Sequence, residues 1–464
     1  MLSVSEEPVH LSAFIAKMES EQLPGIVVDT FADYYRQVHQ GATGMIPDRE
    51  ITALDPAELP AFDALDAYRE QGLKARTQTV RIVLNGGLGT SMGLTGAKSL
   101  LKVKEGKSFL ELILGQTQRD DNRLALMNSF NTHSETLAAV EKLHLARPPL
   151  TFLQHKFPKI LREDLSPARY PSNPKLEWNP PGHGDVFTAL LTSGSLLRLL
   201  DQRVFYAFIS NSDNLGASLD PGLLGYFSQK RIPFMMEVAE KTPADVKGGH
   251  LARRSDGRLV LREAAQCPAD ELEAFRDIRR YRFFNTNNIW VDLRQLRDLF
   301  DREGLLRLPL IVNPKTLDPR DETSPGVYQI ETAMGAAISL FEGAVAVRVP
   351  RRRFFPVKTC ADLLAVRSDR FVLSPEQALV ANPACRTETI PIRLDPKHFA
   401  KIDQFERRFP QGVPSLADCE GLDVEGDVFF ESGVRMRGKV RIRNEQSEPL
   451  ILKSGALLTG ELIR

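Results

Sequence analysis

The chain has 464 residues, with 60 basic and 60 acidic side chains and 42% hydrophobic content. That length accommodates two or three domains with a full core, and the neutral balance excludes a global basic field for a nucleic-acid backbone or an anionic membrane. The four cysteines, Cys267, Cys360, Cys385 and Cys419, form no CxxC pair, which argues against a zinc site or disulfide framework and makes a reducing cytoplasm the expected compartment.

The start, MLSVSEEPVH, lacks a basic n-region, and no apolar run is long enough to span a bilayer, so a soluble, unprocessed chain is expected. Across residues 8–76, segments such as LSAFIAKMESEQL and DTFADYYRQVH space apolar residues by three and four, which predicts a helical cap. Across residues 80–350, apolar or β-branched runs recur: VRIVL, PLTFLQH, VFYAFIS, IPFMMEV, FFNTNNIWV, LPLIV and VAVRVP. Helical patterns between them, including VFTALLTSGSLLRLL, predict an α/β fold around a mixed, largely parallel sheet with helices on both faces. From Gly421 short strands alternate with glycine and polar turns, which suggests a small β-solenoid rather than an ordinary meander. The expected division is residues 1–78 as a helical region, 79–385 as the catalytic domain and 386–464 as a β-helix-like domain.

The most informative segment is LNGGLGTSMGLTGAKS, residues 84–99, with five glycines in sixteen positions between an apolar run and Lys98. Glycines let backbone N–H groups converge on phosphate oxygens. A Walker A loop is excluded because Ala97 precedes Lys98, and a GxGxxG fingerprint because Met92 stands where its third glycine belongs. A glycine-rich surface turn is the plain alternative; the strand-like entry and the helix-like exit SFLELILGQTQ favour a ligand loop.

Ligands of open α/β sheets lie at the carboxyl ends of strands, and several polar segments fall there. Asp213, in NSDNLGAS, suits a divalent cation, because magnesium accepts one carboxylate with substrate phosphates; an Asx turn with Asn211 or Asn214 is the alternative. His183 sits between glycines in WNPPGHGD, as a donor to phosphate or sugar or as a turn histidine bonded to backbone. Asn285, Asn287 and Asn288 in FFNTNNIW both donate and accept, which suits sugar hydroxyls. Arg351, Arg352 and Arg353 read as a solvated basic face, with Lys358 in FFPVKT set apart by its apolar neighbours.

Taken in order, LNGGLGTSMGLTGAK, MNSFNTH, FLQHKFPKI, WNPPGHGD, SNSDNLGA, MEVAEKTPADVKGG, FFNTNNIW, VNPKTLD and FFPVKT run across residues 84–359. In this set the chain resembles the eukaryotic-type UTP-glucose-1-phosphate uridylyltransferases. The resemblance implies a glycosyltransferase-A-like catalytic domain, magnesium dependence, and a C-terminal left-handed β-helix through which a homo-oligomer assembles. It also implies that UTP and glucose-1-phosphate become UDP-glucose and pyrophosphate by direct in-line attack, without a covalent intermediate. Position by position, it puts the nucleotide on Leu84, Asn85, Gly86 and Gly87, with Gln154 and the Gly182 backbone reading uracil. Lys98 and Lys358 would act on the phosphates, His183 on the sugar phosphate and Asp213 on magnesium. Gly249 and Asn287, with Asn211 and Asn285, would bind the sugar substrate, and Glu263 would lie near it. Ala97 replaces the family's usual proline, Lys156 and Phe157 replace an arginine-tyrosine pair, and the final β segment is short. The rival readings are a related UDP-sugar or UDP-N-acetylhexosamine pyrophosphorylase, a non-catalytic sugar-nucleotide sensor, and a P-loop enzyme.

Overall fold

The structure, a computed structural model, describes residues 7–119, 122–246, 248–375, 377–385, 387 and 389–464. Its centre is a ten-stranded mixed sheet. The strands are β1 (Ile51–Ala53), β2 (Thr79–Asn85), β3 (Arg123–Asn128), β4 (Leu150–Leu153), β5 (Tyr206–Asn211), β6 (Phe234–Glu240), β7 (His250–Arg254), β8 (Leu259–Arg262), β9 (Phe283–Asp292) and β10 (Val345–Arg348). The main path runs β1-β7-β9-β5-β2-β3-β4; β6 bridges β9 and β10, and β8 pairs with β7.

The sheet is less parallel than its sequence texture suggests. Pairings β5-β2, β2-β3 and β3-β4 are parallel, whereas β9 lies antiparallel to β5, β6 and β7. A strand buried on both faces has the same apolar texture whichever way its neighbour runs, so direction is not legible in composition. Every residue of β2 is buried, as such a strand requires. LPLIV joins a separate three-stranded sheet made of Leu310–Thr316, Gly326–Thr332 and Ile160–Leu161.

The N-terminal helices Leu11–Ser20 and Gly25–His39 form as their apolar spacing predicts. Their buried Phe14, Phe31 and Tyr35 pack on Phe157, Ile160, Leu310 and Ile330, so they cover the small sheet rather than the large one. The same N-terminal region also supplies β1, too short to leave a strand pattern, which pairs with β7. The apolar stretch VFTALLTSGSLLRLL forms two helices, Val186–Thr192 and Ser195–Asp201, because Gly194 takes φ +70° between them.

Near the C-terminus, Ile392–Leu394, Cys419–Glu425, Arg435–Arg443 and Leu457–Ile463 pair in parallel, as do Val428–Phe430 and Leu450–Leu452. A meander pairs antiparallel, so these are the stacked coils of a solenoid. Its core is continuous with the sheet side of the molecule: Val424, Val428 and Ile442 share one apolar cluster with Met92, Val103, Phe109, Val357 and Leu363. No helix among the described residues is long and apolar enough to cross a membrane.

Candidate active site

The glycine-rich loop leaves β2 at the carboxyl end of the parallel strands. Leu84 is buried in β2 and its carbonyl accepts from Ser212 N at 3.1 Å. Asn85 turns inward, donating to Asn128 Oδ1 at 2.7 Å and Thr136 Oγ1 at 2.9 Å, so its amide fixes the ends of β2 and β3 to each other. Ser129 Oγ holds the Gly86 carbonyl at 3.0 Å, and Lys98 N donates to the Gly87 carbonyl at 3.0 Å, folding the loop back on its own entry.

Gln154, directly after β4, faces Gly86: its Oε1 lies 3.2 Å from where a Cβ on Gly86 would stand. Its Nε2 donates to the Gly182 carbonyl at 2.7 Å. Gly182 takes φ +78°, and an added Cβ would meet the Thr332 carbonyl at 2.4 Å, so no larger residue keeps this approach. Thr332 N in turn donates to the Pro181 carbonyl at 2.8 Å. A further clamp escaped sequence reasoning. Asp185 accepts from His155 N at 2.7 Å and bonds His155 Nδ1 at 2.9 Å, tying the Gln154 segment to the His183 segment. Both residues lie inside singled-out motifs, but nothing in their spacing reveals the pairing.

His183 has the backbone hydrogen bond of its turn reading. Its Nδ1 accepts from Met334 N at 2.9 Å, as a turn histidine would. A backbone N–H can only donate, so the proton of the neutral ring stays on Nε2, which is left to donate to an anion. Burial, aided by the Lys358 charge, pushes the imidazole down to about 4, so it is neutral near pH 7.

Asp213 follows β5 and is the electrostatic centre. Lys98 Nζ lies 2.6 Å and Lys358 Nζ 2.7 Å from the same carboxylate oxygen, Oδ2. Burial favours the neutral acid, but Lys358 and Lys98 overcome it and hold the carboxyl below its usual range. Oδ1 is buried without a partner among the described residues, and no group of three or more His, Cys, Asp or Glu side chains among them is placed to hold a metal. This donor set fits magnesium taken through one carboxylate oxygen and completed by substrate phosphates, not an all-protein cage. The Asx turn nearby belongs to Asn214, whose Oδ1 accepts from Gly216 N at 3.1 Å.

A backbone ladder brings Lys358 to this point. Val357 N donates to the Asp213 carbonyl at 3.1 Å, and Phe355 N to Asn214 Oδ1 at 2.9 Å. Beneath it, Arg353 makes a buried pair with Glu237 at 2.7 Å, and Glu237 also accepts from Trp290 Nε1 at 2.9 Å. Two members of the arginine triplet therefore depart from a solvated face, Arg353 being 4% exposed and Arg351 gripping Asp245 through two hydrogen bonds of 2.8 and 2.9 Å, while Arg352 is exposed. The signal available in the sequence was Glu237 itself, a lone acid inside the apolar run IPFMMEV.

On the far side lies a cleft of about 630 Å³ lined by Gly249, Glu263, Asn285, Asn287 and Lys358. Asn285 Nδ2 donates to Asn287 Oδ1 at 2.7 Å, and Asn287 N to Asn285 Oδ1 at 2.9 Å, with Asn287 at φ +59°. This local ring fixes both amides in the cleft wall. Asn211, half-buried at the end of β5, accepts through its carbonyl from Asn214 N at 3.2 Å. Asn288 faces the interior, with its amide on Glu237 at 3.1 Å, and does not line the cleft.

The family model for UTP–glucose-1-phosphate uridylyltransferase matches residues 28–437. The chain is 41% identical over 422 residues to the UTP–glucose-1-phosphate uridylyltransferase of Solanum tuberosum, covering 88% of this chain and 86% of that one. It is 36% identical over 458 residues to the Saccharomyces cerevisiae protein of the same name, covering 97% and 89%. UDP-glucose pyrophosphorylase from Leishmania major, solved as an S374W mutant with UDP-glucose, superposes with a TM-score of 0.91 at 41% identity, over 98% of this chain and 99% of that one. With a family model spanning most of its length, relatives of this similarity and the same fold, the chain belongs to the UTP–glucose-1-phosphate uridylyltransferase family and is a nucleotidyltransferase.

Proposed function

We propose that the protein makes UDP-glucose and pyrophosphate from UTP and glucose-1-phosphate. The observation that carries this reading is the convergence of Lys98 and Lys358, which are remote in sequence, on Asp213 Oδ2 between the glycine-rich loop and the sugar-side cleft. Uridylyl transfer forms a bond from a glucose-1-phosphate oxygen to the α-phosphorus of UTP and breaks the bond to the β-phosphate. The attacking oxygen is already anionic near neutral pH, so the site needs alignment and charge neutralisation rather than a strong base.

In this reading Gln154 reads the uracil edge with the Gly182 backbone, and Leu84, Asn85, Gly86 and Gly87 hold the nucleotide through main chain. Lys358 leaves the shared carboxylate for the phosphates, and Lys98 acts on them from its place beside Asp213. The Lys358 side chain is 57% exposed and free to swing, whereas that of Lys98 is 10% exposed and held in place. His183 donates from Nε2 to the sugar phosphate, and Asn211, Gly249, Glu263, Asn285 and Asn287 take the hexose. Asp213 would hold magnesium through Oδ1, and the ion would supply further neutralisation of the polyphosphate. The four cysteines are all free and take no part, which fits a reducing cytoplasm. Ile451, Leu457 and Ile463 are exposed apolar residues on the last solenoid coils, which fits a homo-oligomer formed through that end.

Pyrophosphate release with UTP and a panel of sugar phosphates tests the assignment. Turnover highest with glucose-1-phosphate supports it; preference for an N-acetylhexosamine phosphate, or no turnover with any, overturns it. Chelation should abolish turnover and added magnesium restore it.

A further inference from the structure

Lys358 has a long, exposed side chain, so its reach to the phosphates depends on where its backbone is fixed. The segment before it runs antiparallel to the Asp213 loop, with Asn214 bridged to Pro356. Val357 N donates to the Asp213 carbonyl at 3.1 Å, and Leu215 N to the Phe355 carbonyl at 3.4 Å. Pro356 has no N–H to give, so this short ladder lacks a donor just ahead of Lys358. The Asn214 side chain makes up the deficit. It is 2% exposed, and its Oδ1 accepts from Phe355 N at 2.9 Å as well as from Gly216 N at 3.1 Å. Backbone N–H groups only donate, so the amide is oriented unambiguously, and Nδ2 donates to the Arg353 carbonyl and to Asn288 Oδ1, each at 3.2 Å. Asn288 Nδ2 donates to the same Arg353 carbonyl at 3.2 Å, which ties the segment to β9.

We propose that Asn214 is a positioning residue for Lys358, its buried amide fixing the backbone from which that lysine reaches the phosphates, without itself touching substrate. An Asx turn needs only the Gly216 bond; the other three bonds go to the Lys358 segment and to β9. Few side chains meet that demand. Two acceptor and two donor directions must come from one planar group close to the main chain, and an amide supplies both. A carboxylate at the same place would accept from Phe355 and Gly216 but face two oxygens without a proton to share. A serine hydroxyl has one proton and is too short to span the segments. Downstream, Lys358 N and Thr359 N donate to Asp362 Oδ2 at 2.9 and 2.8 Å, which anchors the chain to its own helix. Asn214 supplies the anchor on the Asp213 side.

This inference rests on the proposed action of Lys358 on the phosphates, and the two can fail separately. The test is a double-mutant cycle of Asn214→Ser with Lys358→Ala, read by steady-state kinetics of pyrophosphate release. Alone, Asn214→Ser should lower kcat roughly ten- to a hundredfold, as a small displacement of a reacting group does. KM for UTP and for glucose-1-phosphate should each stay within about twofold, because the groups that bind uracil and hexose are untouched. In the Lys358→Ala background the same substitution should change kcat by less than about threefold, since the group it positions is gone. A merely structural role gives the same loss in both backgrounds, and that result, or a loss confined to KM, overturns the inference. Asn214→Asp keeps the two accepted bonds and loses the two donated ones; it should behave as Asn214→Ser does and carries the test if the serine variant does not fold. Near-normal turnover of Lys358→Ala alone overturns instead the role of Lys358 beneath the inference.

Discussion

Two ammonium groups sharing one carboxylate oxygen repel each other, and in the proposed reaction that repulsion readies the site for a polyanion. Lys98→Ala and Lys358→Ala should each cut turnover by at least about a hundredfold, as expected when a preorganised charge is removed from a reacting phosphate. Their effects on stability should differ. Breaking the Lys98–Asp213 pair removes one of two buried partners and should cost on the order of 1–3 kcal/mol, whereas the exposed Lys358 should cost less than about 1 kcal/mol. Urea denaturation of both variants checks this asymmetry. His183 provides a pH signature. Held near 4 in the folded protein and near its ordinary 6.5 when unfolded, it takes up a proton on unfolding, so stability should fall as pH drops from about 6.5 to about 4. In His183→Gln that part of the decline should vanish; an identical pH profile would contradict the buried neutral imidazole.

At the scale of elements, the loops act because strands and ladders hold them in pairs. Gln154 is fixed by Gly182 on one side and by the neighbouring His155–Asp185 clamp on the other. Gln154→Ala should relax the preference for UTP over other nucleotides, read as the ratio of kcat/KM values, and unchanged selectivity would remove Gln154 from base recognition. The glycine-rich loop, Asp213 and Lys358 were legible in the sequence because phosphate chemistry restricts residue type and places them after apolar strands. The partners that aim them were not. Nothing in the spacing of Asn85 and Asn128 reveals that they bond each other. Arg353 read as a surface charge because its counter-ion, Glu237, lies 116 positions away. Strand direction was hidden for a similar reason, since it depends on neighbours and not on composition.

At the scale of the molecule, the solenoid packs against the glycine-rich loop and is not an appendage. Its core encloses Met92 of the glycine-rich loop and Val357 beside Lys358, and Lys401 Nζ reaches the Ser91 carbonyl at 3.3 Å. Removing residues 386–464 should therefore leave an aggregating, inactive protein; an active truncated enzyme would show that the coils serve assembly alone. The exposed final strand makes a separate prediction. Ile463→Lys should reduce the solution mass measured by light scattering if the copies meet there.

The proposed path of substrate runs from Gln154, past Lys98, Asp213 and Lys358, to Gly249, Asn285 and Asn287. The most direct measurement is a crystal structure of the protein with UDP-glucose. The uracil edge should be hydrogen-bonded to the Gln154 amide, the two phosphates should lie beside Lys98 and Lys358, and the hexose between Asn285 and Gly249. A uracil ring bound away from Gln154, or a hexose outside that cleft, would contradict it.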